Sequence, residues 1–468
     1  MKKFAKICLA VLLAAAMLLA PATASATEFT DDLMQALAAK ETSLNSAAMI
    51  LINLDTDTTV ASVNPDERME PASVTKIIVA LLLLENIHDI ENTTLTARPE
   101  VLTQLNGTNS SLSGIRPDEV LTAEQMLYCL MVPSGNDAAM VIADNLGSGD
   151  INAFVEMMNR RAAEIGCTNT HYANPHGLHD PNHYTSVADV AKIIQYILAS
   201  PYAGTFMDIC TTNSYTLGPS NVRANNRTLS TTNYMQVSTN QKYYYKYTQG
   251  IKTGSTGEAG YCLATTAFDP RKNYRYLCVT MNAPMKSADG KKLDNGAMFD
   301  HRALYQWAFD TFEYKQLVSA KSAVTEIGLQ YAWEQDKLLL VPATDFSDLV
   351  PKSIDAGSVL IVPNSDVPES VQAPVQEGQK LGTADVVYAG ITLGTVDLVA
   401  DQTVEASRLL LLEEQAKTFL KSKWLRIGAA VLAALLVLYI LISIVYNVRT
   451  RKKKRRAQNL SGKSRRKY

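Results

Sequence analysis

The stretch that decides the reading is Pro71-Ala72-Ser73-Val74-Thr75-Lys76, running directly into Ile77-Ile78-Val79-Ala80-Leu81-Leu82-Leu83-Leu84. Pro71 disfavours helix before it, and the apolar run after it predicts a buried helix. Ser73 and Lys76 are three residues apart at its start, so one turn brings hydroxyl and amine to the same face. A serine becomes a nucleophile when a base takes its proton. A lysine serves as that base when burial or a nearby positive charge lowers its pKa. Alone, S-x-x-K is a common surface pattern, so its weight depends on the rest of the chain.

Two further motifs follow in order. Ser134-Gly135-Asn136 falls on a break between two helical patterns, where a loop presents both side chains to a cleft. Lys252-Thr253-Gly254 falls in a strand pattern and continues into Ser255 and Thr256. The ordered triple S-x-x-K, S-x-N, K-T-G is the signature of serine acyl-enzymes of the penicillin-binding and class A β-lactamase type. It offers a nucleophile, a base, a proton donor for a leaving amine and a cation for a carboxylate.

Around these motifs the elements alternate. Ala48 to Leu54 and Val60 to Val63 read as strands about the turn Asp55-Thr56-Asp57-Thr58. Thr122 to Met131 reads as a helix with Thr122 and Gln125 as its capping box. Helices are also expected over Asn136 to Asn145, Ile151 to Ile165 and from Ser186 to about Leu198. Strands are expected over Gly250 to Gly254, Tyr261 to Phe268 and Tyr274 to Met281, then a helix from Met298 to Phe312. Strands at both ends of a helical middle predict one α/β domain whose sheet is built from distant parts of the chain. From about Val318 short β-rich runs alternate with Pro and Gly, which predicts a small all-β module.

The ends are apolar and charged. Met1 to Ala26 has the form of a secretory signal: Lys2, Lys3 and Lys6, an apolar run from Ile7 to Leu19, then Ala24-Ser25-Ala26. An uncleaved anchor is the other reading. Thr403 to Lys423 reads as a charged helical linker. Leu425 to Tyr446 is long and apolar enough to span a bilayer. Eleven Lys/Arg follow it between Arg449 and Lys467, which places the tail in the cytoplasm. With the two basic ends set aside, the chain holds 30 Lys/Arg against 46 Asp/Glu. An acidic body excludes nucleic acid as the expected partner. Five cysteines remain after the signal, scattered and mostly in apolar surroundings, and read as buried free thiols.

Together, Pro71 to Lys76, Ser134 to Ala139, Asn174-Pro175-His176-Gly177-Leu178 with His183-Tyr184-Thr185, and Gly250 to Gly260 resemble the low-molecular-weight penicillin-binding proteins, the D-alanyl-D-alanine carboxypeptidases. The resemblance spans about Thr30 to Tyr314, and Ala373 to Val404 resembles the family's β-rich second domain. It implies a β-lactamase/transpeptidase-like α/β catalytic domain over 27–316 and an all-β domain over 317–402. The residues themselves give the linker over 403–424, the transmembrane helix over 425–446 and the basic tail over 447–468, a departure from the family, whose members are often held to the membrane by an amphipathic C-terminal helix. The resemblance also implies peptidoglycan stem peptides ending in D-Ala-D-Ala as substrate, and β-lactams as inhibitors. By the same resemblance Ser73 is the nucleophile, Lys76 its general base, Ser134 the proton relay and Asn136 the residue that orients Lys76 and the substrate amide. Lys252 and Thr253 bind the terminal carboxylate, Gly254 lets the substrate approach, and the N–H groups of Ser73 and Ser255 form the oxyanion hole.

Three rivals remain. A β-lactamase needs a water-activating Glu in an E-x-x-x-N pattern, and Glu164 is one residue off that spacing from Asn169. A penicillin-binding receptor would acylate without turnover, but the short basic tail carries no signalling domain. His171, His176, His179 and His183 suggest zinc. The resemblance places this loop beside the active-site region without a metal, and no carboxylate or Cys completes an evident ligand set, so neither metal nor cofactor is expected.

Overall fold

A computed structural model describes residues 29–39, 43–388 and 390–463. The signal-like segment Met1 to Ala26 lies outside the described residues. The chain divides into two compact units, one of Met1–Leu317 with Ser347–Leu360 and Val387–Gly394, the other of Val318–Phe346, Ile361–Val386 and Thr395–Tyr468.

The principal elements of the first unit are α1 (Thr30–Ala38), β1 (Ala48–Asn53), β2 (Thr58–Val63), α2 (Lys76–Asn86), α3 (Ala123–Met131), α4 (Asn136–Leu146), α5 (Ile151–Ile165), α6 (Val187–Leu198), β3 (Thr248–Thr256), β4 (Gly260–Asp269), β5 (Tyr274–Ala283) and α7 (Gly296–Thr311). The central sheet has the order β2-β1-β5-β4-β3. Every one of these pairings is antiparallel, and β1 pairs with β5 more than two hundred residues away, Ile50 opposite Val279. The expectation of one sheet built from distant segments therefore holds.

Strand alternation splits the core in two. Ile50, Ile52, Leu277, Val279, Cys262 and Ala264 face a helical layer containing α2, α3, α4, α5 and α6. Met49, Leu51, Tyr276, Cys278, Leu263 and Ala267 face α1 and α7. Helix α2 is buried on all sides, from Lys76 through Leu84. A helix apolar all round belongs at the centre of a layer. Each such aliphatic side chain contributes roughly 1.5–3 kcal/mol on burial.

Local signals placed the ends well. Thr122 and Gln125 form the reciprocal capping box of α3. Asp150 caps α5 and Ser186 caps α6 through their side chains. The Ser73 segment differs from the expected simple helix start. Ala72–Thr75 is a separate 3₁₀ turn, and the α-helix begins only at Lys76. Ala72 sits at φ 47, a left-handed conformation rare for a residue with a Cβ. Cys129, Cys167, Cys210, Cys262 and Cys278 are free and buried. Burial pushes the Cys129 thiol up to about 11, as suits an inert structural cysteine.

A six-stranded sheet of β6 (Thr325–Gln330), β7 (Lys337–Pro342), β8 (Leu360–Pro363), β9 (Ser370–Gln372), β10 (Lys380–Tyr388) and β11 (Ile391–Ala400), in the order β8-β10-β11-β7-β6-β9, supplies most of the second unit. Its core includes Leu338, Leu340, Ala384, Val386 and Leu398, each fully buried. Helix α8 (Arg408–Lys421) follows, and α9 runs from Lys423 to Lys463. Among the described residues α9 is the one helix long and apolar enough to cross a membrane, over Lys423–Arg455.

Candidate active site

The site begins at the 3₁₀ turn. Thr75 Oγ1 donates to the Ala72 carbonyl at 2.7 Å, across the strained turn. The Thr75 hydroxyl is also 2.8 Å from His183 Nε2, while the Ala173 backbone N–H donates to His183 Nδ1 at 3.0 Å. With Nδ1 an acceptor, the ring proton sits on Nε2 and points at Thr75. Gly177, at φ 84, presses on the same turn: a Cβ there would lie 1.8 Å from the Ala72 oxygen. Loop 173–183 thus clamps Ala72 and presents Ser73, which is partly exposed.

Lys76 is fully buried and donates from Nζ to Ser73 Oγ at 2.8 Å, Asn136 Oδ1 at 2.6 Å and the His176 carbonyl at 2.7 Å. Asn136 Oδ1 and the carbonyl can only accept. When Lys76 is neutral, its two N–H bonds serve those acceptors and its lone pair is left facing Ser73. Burial first, then the charge of Lys252, lowers the Lys76 pKa well below the ordinary lysine value, with Asp137 opposing. The arrangement suits proton abstraction from Ser73.

The second motif closes one side. Ser134 is buried and held at φ 63. Gly135 has no room for a side chain: a Cβ would lie 2.6 Å from both Asp137 Oδ1 and the Cys129 carbonyl. Asn136 opens α4, and its backbone N–H donates to the Ser111 carbonyl at 2.8 Å. The buried Asp137 carboxylate accepts from the backbone N–H of Ser113, Gly114 and Ile115 at 2.8–3.0 Å, and from Ser113 Oγ at 3.0 Å. It pins the loop beside Asn136.

Strand β3 forms the opposite side. Lys252 is almost fully buried and donates from Nζ to the Thr253 carbonyl at 2.9 Å. Burial brings its pKa down to about 7, with Cys210 opposing. Thr253 Oγ1 is 2.5 Å from Thr232 Oγ1. A Cβ on Gly254 would lie 2.9 Å from the Pro71 oxygen and 3.1 Å from the Ser73 amide nitrogen. Strand and Ser73 turn therefore lie backbone against backbone, which only glycine permits.

All the residues singled out in the three motifs thus occur on segments that meet. Lys76, Ser73 and Asn136 share direct hydrogen bonds, and the charges of Lys76 and Lys252 interact. Sequence reasoning gave no catalytic role to Thr75, Asp137, Thr232, His183 or the His176 carbonyl. Thr75 and Asp137 lie in or beside a motif, the histidines lie in the loop that resembles the family, and Thr232 has no local signal at all. Glu164 is half exposed on α5 and pairs with Arg161 at 2.9 Å.

The comparisons agree with this geometry. The D-alanyl-D-alanine carboxypeptidase family model matches residues 35–285, and the model of the penicillin-binding protein 5 C-terminal domain matches residues 312–406. The chain is 27% identical to the D-alanyl-D-alanine carboxypeptidase DacF of Bacillus subtilis, over 80% of this chain and 87% of that relative. It is 27% identical to the carboxypeptidase DacA of Haemophilus influenzae, over 74% and 81%. The crystal structure of penicillin binding protein 5 from Haemophilus influenzae superposes with a TM-score of 0.57 at 25% identity, covering 78% of this chain and 98% of that one. A model that matches more than half of the chain and contains all three motifs makes the conclusion direct: this chain belongs to the D-alanyl-D-alanine carboxypeptidase family of serine peptidases.

Proposed function

We propose that the protein is a serine D-Ala-D-Ala carboxypeptidase that removes the terminal D-alanine of peptidoglycan stem peptides and is acylated by β-lactams. The observation that carries this reading is the 2.8 Å contact between Ser73 Oγ and a buried Lys76 of lowered pKa. Neutral Lys76 takes the Ser73 proton as Oγ attacks the carbonyl carbon of the D-Ala-D-Ala bond. The N–H groups of Ser73 and Ser255 receive the developing oxyanion. The C–N bond breaks, and the departing amine takes its proton through Ser134. Water then hydrolyses the Ser73 ester and restores the enzyme. Asn136 keeps Lys76 aimed, while Lys252 and Thr253 bind the terminal carboxylate, for which a cation beside a hydroxyl is well suited.

The catalytic domain is assigned to 27–316 and the β-rich domain to 317–402. The linker 403–424 leads to a span over 425–446, and 447–468 forms a cytoplasmic basic tail. An apolar helix followed at once by a Lys/Arg cluster supports this orientation. The body then works outside the membrane, after a cleaved signal, on the cell wall. The exposed Glu164–Arg161 pair supports a peptidase over a β-lactamase, whose deacylating Glu must reach the ester.

The test is release of D-alanine from a diacyl-Lys-D-Ala-D-Ala tripeptide by the detergent-solubilised chain. Release that penicillin abolishes is expected. Penicillin labelling of Ser73 without any release would replace the peptidase reading by that of a receptor.

A further inference from the structure

The loop that clamps the nucleophile contains four histidines, and the fold gives them different surroundings. His171 Nδ1 lies 2.6 Å from the Asn182 carbonyl. His176 Nδ1 accepts from the Leu178 N–H at 3.2 Å. His183 is engaged by Ala173 and Thr75. His179 instead meets carboxylates. Its Nδ1 is 2.6 Å from Glu70 Oε1, and one ligand atom each of Glu70, His179 and Glu258 lies within 4.8 Å of the other two. The two carboxylates that meet His179 arrive from elsewhere in the chain.

We infer that Glu70, His179 and Glu258 bind one divalent cation of the zinc class at the rim of the active site. One imidazole and two carboxylates form a donor set suited to Zn²⁺ and its borderline neighbours. Metal–ligand bonds of about 2.0–2.2 Å bring such donors to well under 4.8 Å apart. The exposed side chains of His179 and Glu258 have the freedom to close that gap. Three protein ligands leave further positions for water.

The origin of each ligand gives the site its meaning. Glu70 immediately precedes the Pro71–Ser73 turn. His179 lies three residues beyond His176, whose carbonyl holds Lys76. Glu258 sits in the turn after Lys252-Thr253-Gly254, between β3 and β4. These are three separate walls of one cleft. A cation bound to all three cross-braces the rim, as a structural ion ties together loops that have no other covalent link. None of its three ligands is among Ser73, Lys76, Ser134 and Asn136, so its place in the site is structural. The inference is independent of the peptidase reading, because metal binding is read without substrate.

Equilibrium dialysis of the untagged full chain in detergent against micromolar ZnCl₂, with metal measured per chain, tests the site. About one zinc per wild-type chain is expected. His179→Ala and Glu258→Gln should each weaken binding at least tenfold, in line with loss of a metal ligand or its support. Both variants should still be labelled by penicillin without metal, which shows that they are folded. Hydrogen exchange across 177–182 and 256–259 should slow on adding zinc to wild type and stay unchanged in the variants. No zinc on wild type, or equal zinc on wild type and variants, overturns the site. Zinc bound without slower exchange in either segment overturns the brace.

Discussion

Thr75 and His183 stand 108 residues apart in the chain and 2.8 Å apart beside the Ser73 turn. The proton order is determined by a third partner: Ala173 donates to Nδ1, so Nε2–H donates to Thr75, and Thr75 donates to the Ala72 carbonyl. The relay ends on the residue whose left-handed backbone turns Ser73 toward the cleft.

Thr75→Val keeps the shape and removes both bonds. It leaves the buried His183 N–H and the Ala72 carbonyl short of a partner, at a cost of about 1–3 kcal/mol. Urea unfolding should show that loss. The rate of penicillin acylation should fall as well, because Ala72 is released. A variant destabilised to this extent but acylated at the wild-type rate would show that the relay supports the fold and not the nucleophile.

Gly177→Ala places a methyl group 1.8 Å from the Ala72 oxygen, at a φ that already disfavours alanine. Strain and displacement together should cost at least ~2 kcal/mol. Because His176 precedes it, the Lys76–carbonyl bond shifts too, and acylation should slow by at least about tenfold. Thermal melting and a labelling time course measure the two effects separately.

Acid should weaken the protein through the buried His183 and His301 and the partly buried His176. Burial brings His183 down to about 4, and His176 and His301 down to about 3, from an ordinary 6.5. The unfolded chain therefore takes up these protons first. Their contribution is fully present above pH 6.5 and is lost as pH falls toward the folded values. The slope approaches about 1.4 kcal/mol per pH unit for each histidine. Urea midpoints at pH 7.5, 6.0 and 5.0 should fall in that order, and equal midpoints at all three would contradict it.

Substrate capture should carry the opposite pH limit. Lys252 has a pKa brought down to about 7 by burial, so the free enzyme loses that positive charge above neutrality. kcat/KM for peptides ending in a free carboxylate should decline above about pH 7, while amide-terminated analogues should not share the decline. Parallel profiles for both would remove Lys252 from carboxylate binding.

Thr232→Val deletes the hydroxyl that is 2.5 Å from Thr253 Oγ1. Thr253 then loses the partner that orients it. KM for the tripeptide should rise severalfold with kcat little changed, because Thr232 acts on binding through Thr253. A matching fall in kcat with constant KM would assign it to the chemical step instead.

Much of this protein was legible in its sequence. The order Ser73–Lys76, Ser134–Asn136, Lys252–Gly254 is local chemistry, since each motif needs only one turn or one strand to present its groups. The Thr122–Gln125 box and the Ser186 start are likewise short-range signals, and their helices begin where they were expected; the apolar run from Leu425 to Tyr446 lies within one long helix, Lys423–Lys463. Only the tertiary structure decided the rest. It made the start of the nucleophile helix a 3₁₀ turn, because Gly177 and the Thr75–His183 pair press on Ala72. It fitted Thr232 to Thr253 and aimed the His176 carbonyl at Lys76. It also brought Glu70 and Glu258 to His179. Such contacts join segments up to about two hundred residues apart. A pair at that separation leaves no periodicity or spacing in the chain; what creates it is the antiparallel pairing of β1 with β5 and the packing of the helical layer, with α2 at its centre and α6 on the strands, against the sheet.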